Sequence, residues 1–388
     1  MRRTGTIVGA VLLALLSAPA AGALDQPVRH VLYDHGSFYP RVIRLTQPGI
    51  GEGVVLATVT TNIGRTGVGI IEASEDDGAT FHQVAEIRDP TAANGASVCC
   101  ATLFQLPTAV GRLAAGTVLW AASTGQGAPA ASRTSRERLW ASTNAGFSWH
   151  FVSSIAVAGN HFDTWEPSLS VAADGRLVAF YSDETDDAHH SQTLVQVRSS
   201  DGVHWTDYRA TVVGARWTVR PGMANVIRLP GGGYFMSYEV CNNDFVHLCS
   251  VYFRRSTDGW NYGDPHNPGT SVRTFDGKYE RHTPFPVWSP GPGPNGTILL
   301  ISEMVVNADG SIAPENGRTI LANGANGNGP WYELPAPIAV AGVNNTGCKN
   351  FSPSLLPARD GRSVLEVDTD LDHGVCKTYY AQEPLRTR

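Results

Sequence analysis

The chain has 388 residues, of which only 16% are charged, with a formal net charge of −6 and no basic block or stripe. That balance excludes nucleic acid as a partner, because a phosphate backbone needs a cluster of Lys and Arg to displace its counterions. Forty-one glycines, 24 prolines and nine tryptophans describe a turn-rich chain of short strands with aromatic surfaces and exclude a disordered one.

Arg2 and Arg3, an apolar run over 7–16 and the small residues Ala21-Gly22-Ala23 read as a secretory leader with its cleavage site. Residues 1–23 are therefore set aside, and 24–388 are expected to form one secreted domain. The apolar run is about half of what a spanning helix needs and no later stretch is longer, so no membrane partner is expected.

The remainder repeats with a period of about sixty residues. Apolar first strands are predicted over 39–45, 100–106, 166–171, 223–229, 283–288 and 352–356. Each is followed by a Gly-containing turn and a second β-rich run, such as 176–181 or 233–238. A polar turn closed by an aromatic recurs at 74–81 and 142–149, with shortened relatives at 199–205 and 256–262. In such a turn Asp or Asn accepts backbone N–H groups, Gly takes a positive φ, and the aromatic packs into the sheet. The pattern predicts an all-β fold, a six-bladed β-propeller with four-stranded antiparallel blades and Asp-box turns between third and fourth strands. The N-terminal run 28–32 is expected to supply the outer strand of the last blade and close the ring. A closed ring hides its sheet edges, so a monomer is expected.

Six cysteines in an exported chain suggest disulfides. Cys241 and Cys249 flank a short polar loop, and Cys348 and Cys376 share the last repeat. For the adjacent Cys99 and Cys100 a vicinal disulfide and two buried thiols are both open. None has zinc-ligand spacing, and no metal or cofactor is assigned.

Strand direction sorts the polar residues between two rims. The start of the first strand and the end of the second share one rim, while the Asp boxes face the other. On the working rim stand Arg41, Cys99-Cys100, Trp165-Glu166, Arg220, Arg281-His282 and Asn350, with Asp183-Glu184, Glu239, Glu303 and Asp368 ending second strands. Acids, arginines and aromatics in one ring suit sugar chemistry, which needs hydrogen bonding, ring stacking and two carboxyl groups. Glu166 and Glu239, at the mouths of adjacent blades, are the predicted catalytic pair. Arg41, Trp165, Asp183, Arg220, Tyr238, Arg281, His282 and Asn350 are the predicted substrate contacts. The acidic run 183–190, with His189 and His190, has the composition of a metal loop, but such loops are ordinarily solvated. The glycine-rich segments 291–296 and 324–329 are candidates for loops that close one end of the cleft.

The Asp boxes are those of the sialidase-type propellers. The layout as a whole resembles glycoside hydrolase family 93, the exo-α-1,5-L-arabinanases: a secreted six-bladed propeller with a Trp-Glu-Pro acid and a Tyr-Glu acid a little over seventy residues apart. Here Glu166 and Glu239 are 73 apart, and Tyr39-Pro40-Arg41 fits the same pattern. The resemblance spans essentially the whole mature chain. It implies release of arabinobiose from the non-reducing end of linear arabinan with retention, Glu239 being the nucleophile and Glu166 the acid/base. An exo-α-sialidase is the alternative, with Arg41, Arg220 and Arg281 binding a carboxylate and a Tyr-Glu pair as nucleophile. Against it, Pro40 precedes Arg41 where sialidases carry Arg-Ile-Pro, and no Asp is placed as the acid. A third reading is a non-catalytic carbohydrate-binding propeller.

Overall fold

In each repeat the strands nearest the axis are apolar on both faces, so they are stable only where a neighbouring sheet covers each side. Val118–Thr124 and Leu177–Asp183 are buried along their whole length, which selects a closed ring of stacked sheets over an open sandwich. The computed structural model describes residues 28–385 apart from 50, 247 and 292, and the leader read over 1–23 lies outside the described residues. They form six antiparallel sheets. The inner strands touch in a closed cycle: Phe38–Arg44 with Val98–Gln105, then Thr164–Val171, Arg220–Arg228, Phe285–Ser289 and Ser354–Pro357, which returns to the first. This is the expected propeller, and all six first strands fall where the repeat placed them.

Blade 1 runs outward as Phe38–Arg44, Val55–Ile63, Thr66–Ser74 and His82–Ile87. Blades 2 and 3 follow the same plan. Blade 6 takes its fourth strand, His30–Tyr33, from the other end of the chain, paired antiparallel to Val375–Pro384. Leu32 then joins a core with Val42, Val55 and Ile70 of blade 1 and Leu365, Val367 and Tyr380 of blade 6, and an Arg29–Asp370 ion pair of 2.6 Å lies beside it. The ring is closed by hydrogen bonds and by apolar burial at the same seam.

Blades 4 and 5 depart from the regular plan. The fourth strand of blade 4 shrinks to Thr270–Ser271, because Pro265 and Pro268 precede it and neither has an N–H for the ladder. On the working rim Tyr279–Arg281 pairs with Met304–Val306, and Ser250 pairs with Arg281, so these two short strands extend the blade 4 sheet, which stays separate from the blade 5 sheet.

The polar turns lie between third and fourth strands as expected. In the first, Asp76 accepts from the Thr80 N–H (2.9 Å) and the Thr80 hydroxyl (2.6 Å), while Ser74 Oγ accepts the Gly78 N–H (2.8 Å). A fifth turn, not recognised in the sequence, follows Thr319–Asn323: Asn323 Oδ1 accepts from the Ala325 and Gly327 N–H groups (2.8 and 2.9 Å), and Trp331 closes it. It escaped notice because Asn323 stands where the other turns have Ser. This corrects the reading of 324–329 as a cleft loop, since a turn between third and fourth strands faces the rim opposite the acids. The described residues of 291–296 lie between first and second strand in blade 5 and face that same opposite rim.

Gly78 (φ 93°) ties the first turn to the seam, because a Cβ there would lie 2.9 Å from Leu365 of blade 6. Gly78→Ala is expected to lower the unfolding free energy by about 1–3 kcal/mol, measured by urea denaturation, through backbone strain and displacement of Leu365. Catalytic turnover, remote on the other rim, should be unchanged.

Candidate active site

Where each inner strand begins, one residue takes a left-handed backbone: Tyr39 (φ 56°), Cys100 (62°), Glu166 (63°), Met223 (55°), Thr283 (47°) and Ser352 (58°). None is glycine, and each conformation costs about 1–2 kcal/mol locally. In blades 1 to 4 the position coincides with a bulge in the pairing of first and second strands. A bulge bends the strand and re-aims its side chain. Here it aims them at the axis: Tyr39, Cys100 and Met223, from three different blades, pack into one cluster with Cys99, Trp165 and Phe351.

Opposite the residue before each bulge stands a polar side chain at the end of the second strand. Pairing places Thr60, Ser123, Ser182 and Glu239 there in blades 1 to 4. In blade 5 it is Glu303, whose N–H donates to the His282 carbonyl (3.2 Å), and in blade 6 Thr369, whose hydroxyl accepts the Phe351 N–H (3.2 Å). Four hydroxyls and two carboxyls therefore occupy one ring. In blades 2, 3 and 4 they receive the backbone N–H that the next blade frees at its left-handed residue. Glu166 N–H donates to Ser123 Oγ (3.0 Å), Met223 N–H to Ser182 Oγ (3.4 Å), and Thr283 N–H to Glu239 Oε2 (3.0 Å).

Glu166 is itself a bulge residue, and its carboxyl crosses to blade 4. Oε2 accepts from the Ser182 hydroxyl (3.0 Å) and from the Met223 N–H (3.2 Å). Met223 follows Gly222, the residue paired with Glu239, so one turn of backbone links the two acids. Burial, and then the charge of Glu239, push the Glu166 carboxyl up to about 8 against the pull of these hydrogen bonds. Glu239 is 8% exposed. Its Oε2, besides accepting the Thr283 N–H, lies 3.4 Å from His282 Nδ1. Burial works against the charged imidazole of His282, but the hydrogen bond and charge of Glu239, then the charge of Glu303, outweigh it and raise its pKa. The two predicted acids thus differ in environment: one is held with its proton near neutrality, the other faces an N–H and an imidazole.

The other predicted contacts divide into two groups. Trp165 packs against the axial cluster, and Arg281 and His282 lie beside Glu239 and Glu303. Arg41 sits beneath the site, 2% exposed, donating to the carbonyls of Pro40 (2.7 Å) and Ser352 (3.0 Å), with its guanidinium 4.1 Å from the Tyr39 ring centre. It props the floor and has no face free for a sugar. Four residues point elsewhere. Tyr238 is fully buried on the face of its strand opposite Glu239, its hydroxyl donating to the Pro268 carbonyl (2.7 Å). Asp183 accepts from Tyr208 Oη (2.9 Å) and the Thr185 N–H (2.8 Å). Arg220 is paired with Glu184 and donates to Gln192 Oε1 (2.6 Å) and the Ser191 carbonyl (2.8 Å). Asn350 donates to the carbonyls of Ser302 (3.0 Å) and Glu303 (2.6 Å), joining blade 6 to blade 5. The reason in each case is local: alternation along a strand or the need to satisfy a link decides side-chain direction, and neither is legible from rim membership alone. With Arg41 and Arg220 so committed, the three arginines do not form a carboxylate clamp.

Tyr39, Ser182, Gly222, Met223 and Thr283 belong to the site and were not read as such. The one signal in the sequence was the shared register of Tyr39, Met223 and Thr283, each the first residue of a predicted first strand, with Gly222 just before it; Ser182 ends a second strand. Cys99 and Cys100 form the vicinal disulfide, Cys241 pairs with Cys249 and Cys348 with Cys376. Glu239, Cys241, Cys249 and His282 each bring an atom within 4.8 Å of the others, but the disulfide leaves no thiolate for a cation. In the acidic loop the charges are used internally, Glu184 on Arg220 and Asp186 on His189 (2.7 Å).

Among solved structures, the α-L-arabinanase of Penicillium chrysogenum complexed with arabinobiose is 27% identical, with a TM-score of 0.75 over 92% of this chain and 97% of that one. The glycoside hydrolase family 93 α-L-arabinofuranosidase of Fusarium graminearum with arabinobiose is 23% identical, with a TM-score of 0.75 over 92% and 97%. A sialidase of Streptococcus pneumoniae shares the fold at 9% identity and a TM-score of 0.59, over 93% and 71%. No family model and no curated protein matches the chain. The resemblance to family 93 drawn from the acid spacing is therefore carried over the whole propeller.

The raised Glu166 pKa has a stability consequence with a definite sign. A carboxyl whose pKa is higher in the folded than the unfolded state contributes stability below its unfolded value that is lost as the pH rises through about 8. Glu166→Gln removes that loss. Its Tm should match wild type near pH 4 and exceed it by several degrees near pH 9, read by differential scanning calorimetry.

Gly222 has no room for a side chain: a Cβ there would lie 2.5 Å from Gln192 Nε2 and 2.8 Å from Ser182 Oγ. Gly222→Ala is expected to displace Ser182 from Glu166 and cut kcat by roughly 10- to 100-fold, with a smaller effect on KM, measured by steady-state kinetics.

Proposed function

We propose that the chain is a secreted glycoside hydrolase that cleaves linear α-1,5-L-arabinan from its non-reducing end, releasing arabinobiose with retention of configuration. The observation that carries this reading is the pair of carboxyls on adjacent blades with opposed environments, Glu166 pushed up to about 8 and Glu239 held by the Thr283 N–H and His282. A carboxyl that keeps its proton near neutrality beside a second carboxyl held by an N–H and an imidazole suits a retaining glycosidase. The 27% identity to an arabinanase that binds arabinobiose supports the choice of sugar. Three disulfides support an oxidising compartment.

In this mechanism Glu239 attacks the anomeric carbon while Glu166 gives its proton to the departing glycosidic oxygen. The leaving chain departs as an alcohol, and a glycosyl ester remains on Glu239. Loss of the Glu239 charge lowers the pKa of Glu166, now a carboxylate, which takes a proton from water. The hydroxide so formed attacks the anomeric carbon from the opposite side and frees Glu239, and the two inversions together give retention. Trp165, the Cys99–Cys100 disulfide and Met223 provide an apolar surface beside the acids on which a furanose ring can pack. A sialidase reading meets two obstacles. Arg41 and Arg220 are engaged by protein groups, and Tyr238, the tyrosine next to Glu239, has its hydroxyl on Pro268.

Purified protein incubated with debranched arabinan should release a single disaccharide from the earliest time points, its anomer retained by NMR. Glu239→Ala and Glu166→Ala should each lower kcat by at least about 1,000-fold with the fold intact. Azide should rescue Glu239→Ala and yield a glycosyl azide of inverted configuration. Release of a monosaccharide, of a ladder of products, or of nothing would overturn the assignment.

A further inference from the structure

Glu303 occupies in blade 5 the position that Glu239 occupies in blade 4. In blades 2, 3 and 4 the side chain at this position receives the N–H of the next blade's bulge residue: Ser123 takes Glu166, Ser182 takes Met223, and Glu239 takes Thr283, whereas Thr60 donates to the Phe38 carbonyl and Thr369 takes the Phe351 N–H of its own blade. By that rule Glu303 should take the N–H of Ser352. It does not, because the Ser352 N–H donates instead to Thr283 Oγ1 (3.2 Å). Both carboxyl oxygens of Glu303 are left without a hydrogen-bond partner in a side chain that is 0% exposed. A buried carboxyl relieved of its structural duty is costly. Its replacement by Ser or Thr, the residues found at this position in the other four blades, would remove the cost.

The groups that face Glu303 indicate what it does. From its own blade these are His282 and Arg281, from blade 4 Glu239, and from blade 6 Asp368. His282 is the residue they have in common: its Nδ1 lies 3.4 Å from Glu239 Oε2, its carbonyl accepts the Glu303 N–H, and its own N–H is anchored on the Cys249 carbonyl (3.1 Å). The imidazole is therefore fixed by backbone, in contact with the Glu239 carboxyl and within reach of the charge of the unpartnered Glu303 carboxyl.

We propose that Glu303 is a positioning acid of the catalytic centre, which governs the protonation of His282 and so the hydrogen bond by which His282 holds Glu239. The group is too deeply buried to touch a sugar, so it acts only through the imidazole. Burial pushes Glu303 up to about 7, with the charges of His282 and Arg281 opposing and that of Glu239 reinforcing the rise. The two groups oppose each other's burial: the charge of His282 pulls the Glu303 carboxyl down, and an ionised Glu303 raises the proton affinity of the His282 imidazole. When Glu239 is esterified and its charge lost, Glu303 is the remaining acid that faces the imidazole from the same blade.

The test is a pH titration of the His282 ring by NMR in protein labelled at histidine, its signal identified by loss in His282→Asn, comparing wild type with Glu303→Gln. A two-step curve in wild type should become one step with a midpoint lower by on the order of one pH unit. Glu303→Asp should keep two steps. Tm near pH 8 should rise in Glu303→Gln, which also guards against misfolding. On arabinan, the alkaline limb of kcat should move to lower pH by a similar amount with KM little changed. A His282 curve superimposable on wild type in Glu303→Gln would overturn the proposal. The role given to Glu239 rests on the arabinanase reading, but the NMR arm needs no substrate. Inactivity of wild type towards arabinan would sink that reading alone.

Discussion

The structure depends on one recurrent constraint, a left-handed, non-glycine residue at the mouth of every inner strand. An extended strand would run its side chains alternately into the two flanking blades and leave the axis lined by backbone. The bulge breaks that alternation and sends Tyr39, Cys100, Glu166 and Met223 inward, where the site is assembled. It also frees an N–H from the ladder, and a buried N–H must find an acceptor. In blades 3, 4 and 5 the acceptor comes from the preceding blade, so the device that builds the site also fastens blades 2 to 5 in sequence.

Acceptor chemistry then decides where reactivity lies. A hydroxyl and a carboxyl can both receive the freed N–H, but only the carboxyl brings charge into a low-dielectric ring, where desolvation and mutual repulsion govern proton affinity. Blades 1, 2, 3 and 6 carry Thr60, Ser123, Ser182 and Thr369, and blades 4 and 5 carry Glu239 and Glu303. Catalytic potential therefore collects on the side of the axis where blades 3, 4 and 5 meet. This is also where Tyr279–Arg281 is added to the blade 4 sheet through Ser250 and Arg281, which ties His282 to the sheet that carries Glu239.

The two rims divide labour by the same physics. On the far rim, Asp76, Asn144, Asp201 and Asp258 each accept short backbone N–H bonds within a single turn. Those side chains are satisfied locally, near solvent, and have no capacity left for a ligand. On the working rim the acids are satisfied across blades, and their proton affinities depend on one another. Asp89 shows that a rim carboxylate can be fully engaged as well, accepting from Arg138 (2.8 Å), Trp140 (3.0 Å) and the Thr91 N–H (2.9 Å).

The sequence by itself determined the architecture. A sixty-residue repeat of apolar runs and polar turns is a local pattern, and strand polarity follows from the repeat, so Glu166 and Glu239 could be put on one rim of adjacent blades without coordinates. The catalytic roles proposed for them come from the resemblance to family 93. Side-chain direction at the rim was decided only by tertiary structure. Tyr238 and Glu239 are neighbours in sequence, yet one reaches Pro268 in the packed interior and the other the axis, because successive residues of a strand face opposite ways and the bulge sets which way that is. Arg41, Asp183, Arg220 and Asn350 were drawn off by carbonyls, a hydroxyl and an acid, some of them 25 to 311 residues away in sequence. Ser182, Met223 and Thr283 entered the site through backbone N–H groups and a hydroxyl. Such contributions depend on φ and on register, and they leave no mark of residue type in the chain.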